Sequence, residues 1–139
     1  MKISSNKLKD IIDFAYQELE SLYEKDEIRS MIYSIIEHFT GYDLMKILTY
    51  KDELKVSESE LLKINFAIKD LKKEKPLQQI LGYCEFLDVR IEVNQHVLIP
   101  RVETEEIVQR VIKENKGRKN LKIADVCCGS GCIAIALKK

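Results

Sequence analysis

Leu121-Lys-Ile-Ala-Asp125-Val-Cys-Cys-Gly129-Ser-Gly131-Cys-Ile-Ala-Ile-Ala-Leu137 decides the fold class of this 139-residue chain. Residues 121–127 are mostly apolar with one acid, Asp125, and are expected to form a strand. Gly129-Ser130-Gly131 is a turn, and Cys132 to Leu137, rich in small residues, starts a helix. Strand, glycine turn and helix in that order are how α/β proteins hold nucleotide-like ligands: glycines let the backbone approach, and the helix start offers free N–H groups.

Gly129-Ser-Gly131-Cys-Ile-Ala134 formally matches the dinucleotide fingerprint GxGxxA, a weak signal by itself. Asp125 separates the candidate ligands. A carboxylate four residues before Gly129 would repel a pyrophosphate but suits the ammonium and sulfonium charges of S-adenosylmethionine. The turn therefore favours a methyltransferase over another nucleotide site or a purely structural turn. Cys127, Cys128 and Cys132 could instead ligate metal, but they lack the paired C-x-x-C knuckles of zinc sites, and small side chains packed about a turn is the simpler reading.

Upstream, the period is helical. Leu8, Ile11, Ile12, Ala15, Leu19 and Leu22 share one face, as do Ile28, Met31, Ile32, Ile35, Ile36 and Phe39. Asp26 is expected to cap the second helix and Gly41 to end it. A short helix follows over Asp43 to Tyr50. Ser57-Glu-Ser-Glu60 reads as a capping box opening a fourth helix, which Pro76 should stop. After Gly82, Phe86, Val89, Ile91 and Val93, with Val97 to Ile99, suggest two extended stretches in a hairpin. Glu103 to Glu114 then reads as a helix burying Ile107, Val108, Val111 and Ile112, and Asn115 to Asn120 as a loop. The fold class is α+β: a helical bundle, a β-hairpin linker, and the first strand, turn and helix of a Rossmann-like domain.

Composition narrows the function. Hydrophobic residues make up 45% and charged residues 33%, the balance of a soluble globular protein. Net charge is zero, and the six tyrosines form no stacking platform, so direct nucleic-acid binding is not expected. No apolar run approaches a bilayer span and Met1 to Asn6 has no apolar signal core, so neither a membrane nor a secretory role is expected. Four cysteines, three of them crowded together, make no disulfide framework and suit the reducing cytoplasm. His38 and His96 are isolated and carry no recognisable chemistry.

Three blocks precede the turn: Pro76-Leu-Gln-Gln-Ile-Leu-Gly82, Glu85-Phe86, and Val97-Leu-Ile-Pro-Arg-Val-Glu-Thr-Glu105. In this order and spacing they and the turn resemble the HemK/PrmC family of protein-(glutamine-N5) methyltransferases. The resemblance is specific over the second half, and the first half agrees in architecture. It implies a helical, release-factor-binding domain over 1–75, a linker with a hairpin over 76–102, and over 103–139 the start of a seven-strand methyltransferase domain. It also implies methylation of the glutamine amide in the GGQ motif of class I peptide chain release factors, with S-adenosylmethionine as cofactor. The implied cofactor-binding residues are Asp125, Cys127, Cys128, Gly129, Ser130 and Gly131, with Pro100, Arg101 and Thr104 beside the pocket.

Two departures stand out. Val102 replaces the second proline of the family's P-R-P-E-T-E, and Cys127-Cys128 stands where glycine and a small polar residue are usual. A positive φ at Cys127 would be strained. Arg101 and Glu105 could also form a structural salt bridge, and Thr104 an N-cap. The family holds its substrate amide with Asn-Pro-Pro-Tyr, which is absent here because the only prolines are Pro76 and Pro100. The chain alone is therefore expected not to methylate, and the segment from about Leu121 onward, whose strand 121–127 has no neighbours, to be disordered, rearranged or shielded. Two other functions stay open: a non-catalytic module binding a release factor, and part of a nucleic-acid N-methyltransferase.

Overall fold

The structure is a computed structural model, and it describes residues 5–138. Among the described residues it contains helices and one two-stranded antiparallel sheet, an α+β arrangement, and the chain divides into two compact units, Met1–Ile80 and Leu81–Lys139.

The first unit is built on α1 (Leu8–Leu19), α2 (Lys25–Thr40), α3 (Leu44–Tyr50) and α4 (Glu58–Leu71). Apolar residues recur at three- and four-residue steps, so each helix turns one stripe inward. Ile11, Ile32, Ile35, Ile36 and Ile64 are fully buried, and α2 packs against α1, α3 and α4. Each such side chain contributes roughly 1.5–3 kcal/mol by leaving water. The residues before α1 close the unit by pairing with those after α3: the amide of Leu8 donates to Leu54 and that of Val56 to Asn6, both at 2.9 Å.

Local signals set the helix ends, with three corrections. The capping box holds as read, Ser57 Oγ accepting from the Glu60 amide and Glu60 Oε2 from the Ser57 amide. Asp43 caps α3, and Gly41 ends α2 at φ +70°. Asp26 does not cap α2, which starts two residues earlier with Glu24 as N-cap; Asp26 lies in the first turn and pairs with Arg29 at 3.0 Å. A carboxylate there still faces the positive end of the helix dipole. Helix α1 stops at Leu19, which leaves Leu22 exposed. Pro76 does not stop α4, which ends at Leu71. Instead Pro76 heads a further short helix, α5 (Leu77–Leu81), its carbonyl accepting from Gln79 and Ile80. Proline suits that place because a first-turn residue has no intrahelical use for an N–H.

The second unit joins β1 (Tyr83–Phe86), β2 (Val89–Glu92), α6 (Val102–Glu114) and α7 (Cys132–Lys138). Cys84 pairs with Ile91 and Phe86 with Val89 across the hairpin. Leu87 and Asp88 make its turn with φ +48° and +58°, the positive values a tight two-residue turn requires. Phe86, Ile91, Val93, Val108, Cys132 and Ala136 share one small core, so hairpin, α6 and α7 hold each other.

Three expectations fail in this unit. Residues 97–99 form no strand; Val97 packs against the core and Leu98 is exposed. Residues 121–127 form no strand, the outcome expected where no neighbouring segment among the described residues offers backbone partners. The rest of the segment from Leu121 departs from that expectation, because 132–138 form a helix whose Cys132 and Ala136 are held in the core. Of the α6 positions expected inside, Val108 is buried, Val111 is half-buried, and Ile107 and Ile112 are exposed.

Candidate functional site

The turn expected from the sequence is present. Cys127, Gly129 and Gly131 all take positive φ, at +63°, +57° and +75°. The Gly131 amide donates to the Cys128 carbonyl at 2.8 Å, and the Gly131 carbonyl accepts from Ile135 at 2.9 Å as the first turn of α7. Position 127 is therefore where glycine would serve and cysteine is strained, by roughly 1–2 kcal/mol for a left-handed residue with a Cβ. No atom beyond the chain neighbours comes within 4 Å of a Cβ built on Gly129, so the space against that backbone is open.

Helix α7 anchors the turn. Cys132 and Ala136, one helical turn apart, enter the core beside Phe86 and Val108. The sequence reading missed this anchor; its signal was the i, i+4 pair of small residues facing one way. Burial pushes the Cys84 thiol above its ordinary value, with Cys132 and then Glu85 and Glu105 adding to the effect.

Asp125 is half-buried just ahead of the turn, and its Oδ2 is shut off from solvent without a hydrogen-bond partner among the described residues. A buried acceptor without a donor costs about 1–3 kcal/mol. Cys127, Cys128 and Gly129 are exposed, Ser130 and Gly131 half-buried. Pro100 and Arg101 precede α6, and Thr104 lies in its first turn with its amide donating to the Arg101 carbonyl at 3.0 Å. Thr104 is not an N-cap, because that position falls to Arg101, whose side chain makes no capping bond. Among the described residues no ion pair joins Arg101 to Glu105, and no hydrogen bond joins Pro100, Arg101 or Thr104 to the turn. No cluster of described residues could hold a metal ion, and no described helix is long and apolar enough to cross a membrane.

Searches against family models gave no match. Among curated proteins, the release factor glutamine methyltransferase of Flavobacterium psychrophilum is 43% identical over 127 residues, 88% of this chain and 44% of its own length. That of Bacteroides thetaiotaomicron is 36% identical over 129 residues, 93% of this chain and 45% of its own. That of Streptococcus pneumoniae is 33% identical over 133 residues, 96% and 46%. The chain belongs to the release factor glutamine methyltransferase family. It spans less than half the length of these relatives. The resemblance carried by the blocks from Pro76 onward thus extends through the helical bundle.

Proposed function

We propose that the chain supplies the first part of an S-adenosylmethionine site in a cytoplasmic enzyme that methylates the GGQ glutamine of class I peptide chain release factors. The observation that carries this is Asp125: a carboxylate oxygen without a donor, ahead of a turn opened by three positive-φ residues. The residues fit the cofactor. Asp125 would neutralise its positive charge, the backbone at Gly129 and Gly131 would allow its close approach, and Pro100, Arg101 and Thr104 would flank it. When bound, the cofactor supplies an electrophilic methyl group. In this reading residues 121–127 are the first strand of a Rossmann-like domain, formed once neighbouring strands pair with it. Residues 1–75 recognise the release factor, 76–102 link the two domains, and methyltransferase sequence begins at 103.

An amide nitrogen is a poor nucleophile, because its lone pair is delocalised into the carbonyl. It needs acceptors that hold its NH₂ in line with the methyl group. The chain contains no Asn-Pro-Pro-Tyr, and the 139 residues alone therefore transfer no methyl group.

A chimera tests both halves of the reading. Residues 1–139 joined to the remaining sequence of the Flavobacterium psychrophilum relative should incorporate labelled methyl groups into a release factor, and the chain alone should not. Asp125→Ala in the chimera should weaken cofactor binding about tenfold or more. A folded chimera that binds no cofactor, or incorporation by the 139 residues alone, contradicts the proposal.

A further inference from the structure

We propose that Cys127 and Cys128 form a vicinal dithiol site which hydroperoxides oxidise reversibly to a disulfide inside the turn. All four cysteines are free, and these two are exposed, whereas Cys84 and Cys132 are buried. Burial also raises the Cys84 thiol, which makes its nucleophilic thiolate scarcer. Accessible thiol chemistry is thereby confined to two neighbouring residues. Neither is used in packing: the core of this unit takes Cys84 and Cys132 and leaves out Cys127 and Cys128.

Adjacency decides the kind of bond. No peptide bond among the described residues is cis, and neighbouring Cα atoms across a trans peptide stand about 3.8 Å apart. Ordinary disulfides span roughly 4.4–6.8 Å between Cα atoms. A ring closed between neighbours is therefore strained, and a strained, exposed disulfide opens readily to a dithiol reductant. A bond that a strong oxidant closes and a dithiol readily opens is what a switchable site requires and a structural staple does not.

The chemistry balances with one molecule of hydrogen peroxide, the simplest hydroperoxide. One thiolate attacks the peroxide, forming S–O as O–O breaks; the released hydroxide leaves as water with a proton from the thiol. The neighbouring thiolate then attacks the sulfenic sulfur, forming S–S as S–O breaks and the hydroxyl leaves as a second water. Two thiols are oxidised and one peroxide is reduced. The closed ring replaces two free side chains in the turn assigned above to the cofactor. Any effect on cofactor binding rests on that assignment, but the oxidation itself does not.

The test uses the whole chain, fully reduced, treated with hydrogen peroxide, then alkylated and sequenced by mass spectrometry. Expected is the loss of two hydrogens, with the bond placed between Cys127 and Cys128, and with Cys84 and Cys132 still alkylated. Dithiothreitol should restore both thiols. Cys128→Ser, a change at an exposed position, should instead leave a sulfenic acid on Cys127 that dimedone traps, with labelling about tenfold above the unsubstituted chain. Oxidation of Cys84 before this pair, a bond from either residue to Cys132, or cross-linked chains as the main product would each overturn the proposal.

Discussion

The Gly131 amide donates a 2.8 Å hydrogen bond to the carbonyl of Cys128, and that bond closes the turn from which α7 starts. It requires Gly131 at φ +75°, where a Cβ is strained whatever the surrounding space. The nearest atom to an added Cβ is Ile135 Cδ1 at 3.7 Å, an ordinary contact, so the cost of substitution is in the backbone. Gly131→Ala should destabilise the second unit by about 1 kcal/mol. Faster amide exchange along α7, with exchange in α2 unchanged, is the expected result.

Cys127 shows the converse. It holds φ +63° with a side chain that fills no space in the core. Cys127→Gly removes a left-handed strain of about 1–2 kcal/mol and adds roughly 0.5–1 kcal/mol of unfolded-state entropy. The net gain of about 0.5–1 kcal/mol should appear as slower exchange in α7. Cys127→Val, β-branched at the same φ, should shift it the other way.

How much of this was legible depended on the range of each interaction. The Ser57–Glu60 box and the end of α2 at Gly41 involve residues a few positions apart, and the sequence states them outright. The positive φ at Cys127 followed from a departure at a position where the turn ordinarily takes glycine. The apolar run 121–127 forms no strand because a strand is stabilised by neighbours; hydropathy alone suggested the strand, and its lack of partners was also legible in the sequence. Ile107 and Ile112 sit on a clear helical pattern, yet only Val108 of that face is buried, since a stripe shows what could be covered and not what covers it. The hairpin turn at Leu87-Asp88 carries none of the glycine or asparagine that usually marks positive φ.

The first unit depends on its isoleucines. Ile35 is fully buried on α2, the helix that touches the three others. Ile35→Ala should cost about 2–5 kcal/mol, the sum of lost transfer energy and an incompletely collapsed cavity. Loss of helical ellipticity at lower urea concentration checks this. Met45→Ala, at a position 74% exposed, should stay within about 0.5 kcal/mol and serves as the control.

Acid should loosen the same unit through two glutamates. Glu18 Oε2 accepts from Lys72 Nζ at 2.7 Å, joining α1 to the end of α4, and that bond holds its carboxyl below the ordinary range. Glu60 is lowered by the Ser57 hydroxyl and then the Ser57 amide. A carboxyl lowered on folding stabilises fully above its unfolded value and loses that contribution as pH falls through the folded one. The window therefore lies below about pH 4.5, the ordinary glutamate value, and not near neutrality. The melting midpoint should fall between about pH 5 and pH 3. Lys72→Met together with Ser57→Ala should lower stability at neutral pH, by about 1 kcal/mol for the lost cap and less for the half-exposed ion pair. The doubly substituted chain should then show a shallower acid dependence. An identical slope in both chains would mean that other carboxyls carry the acid response.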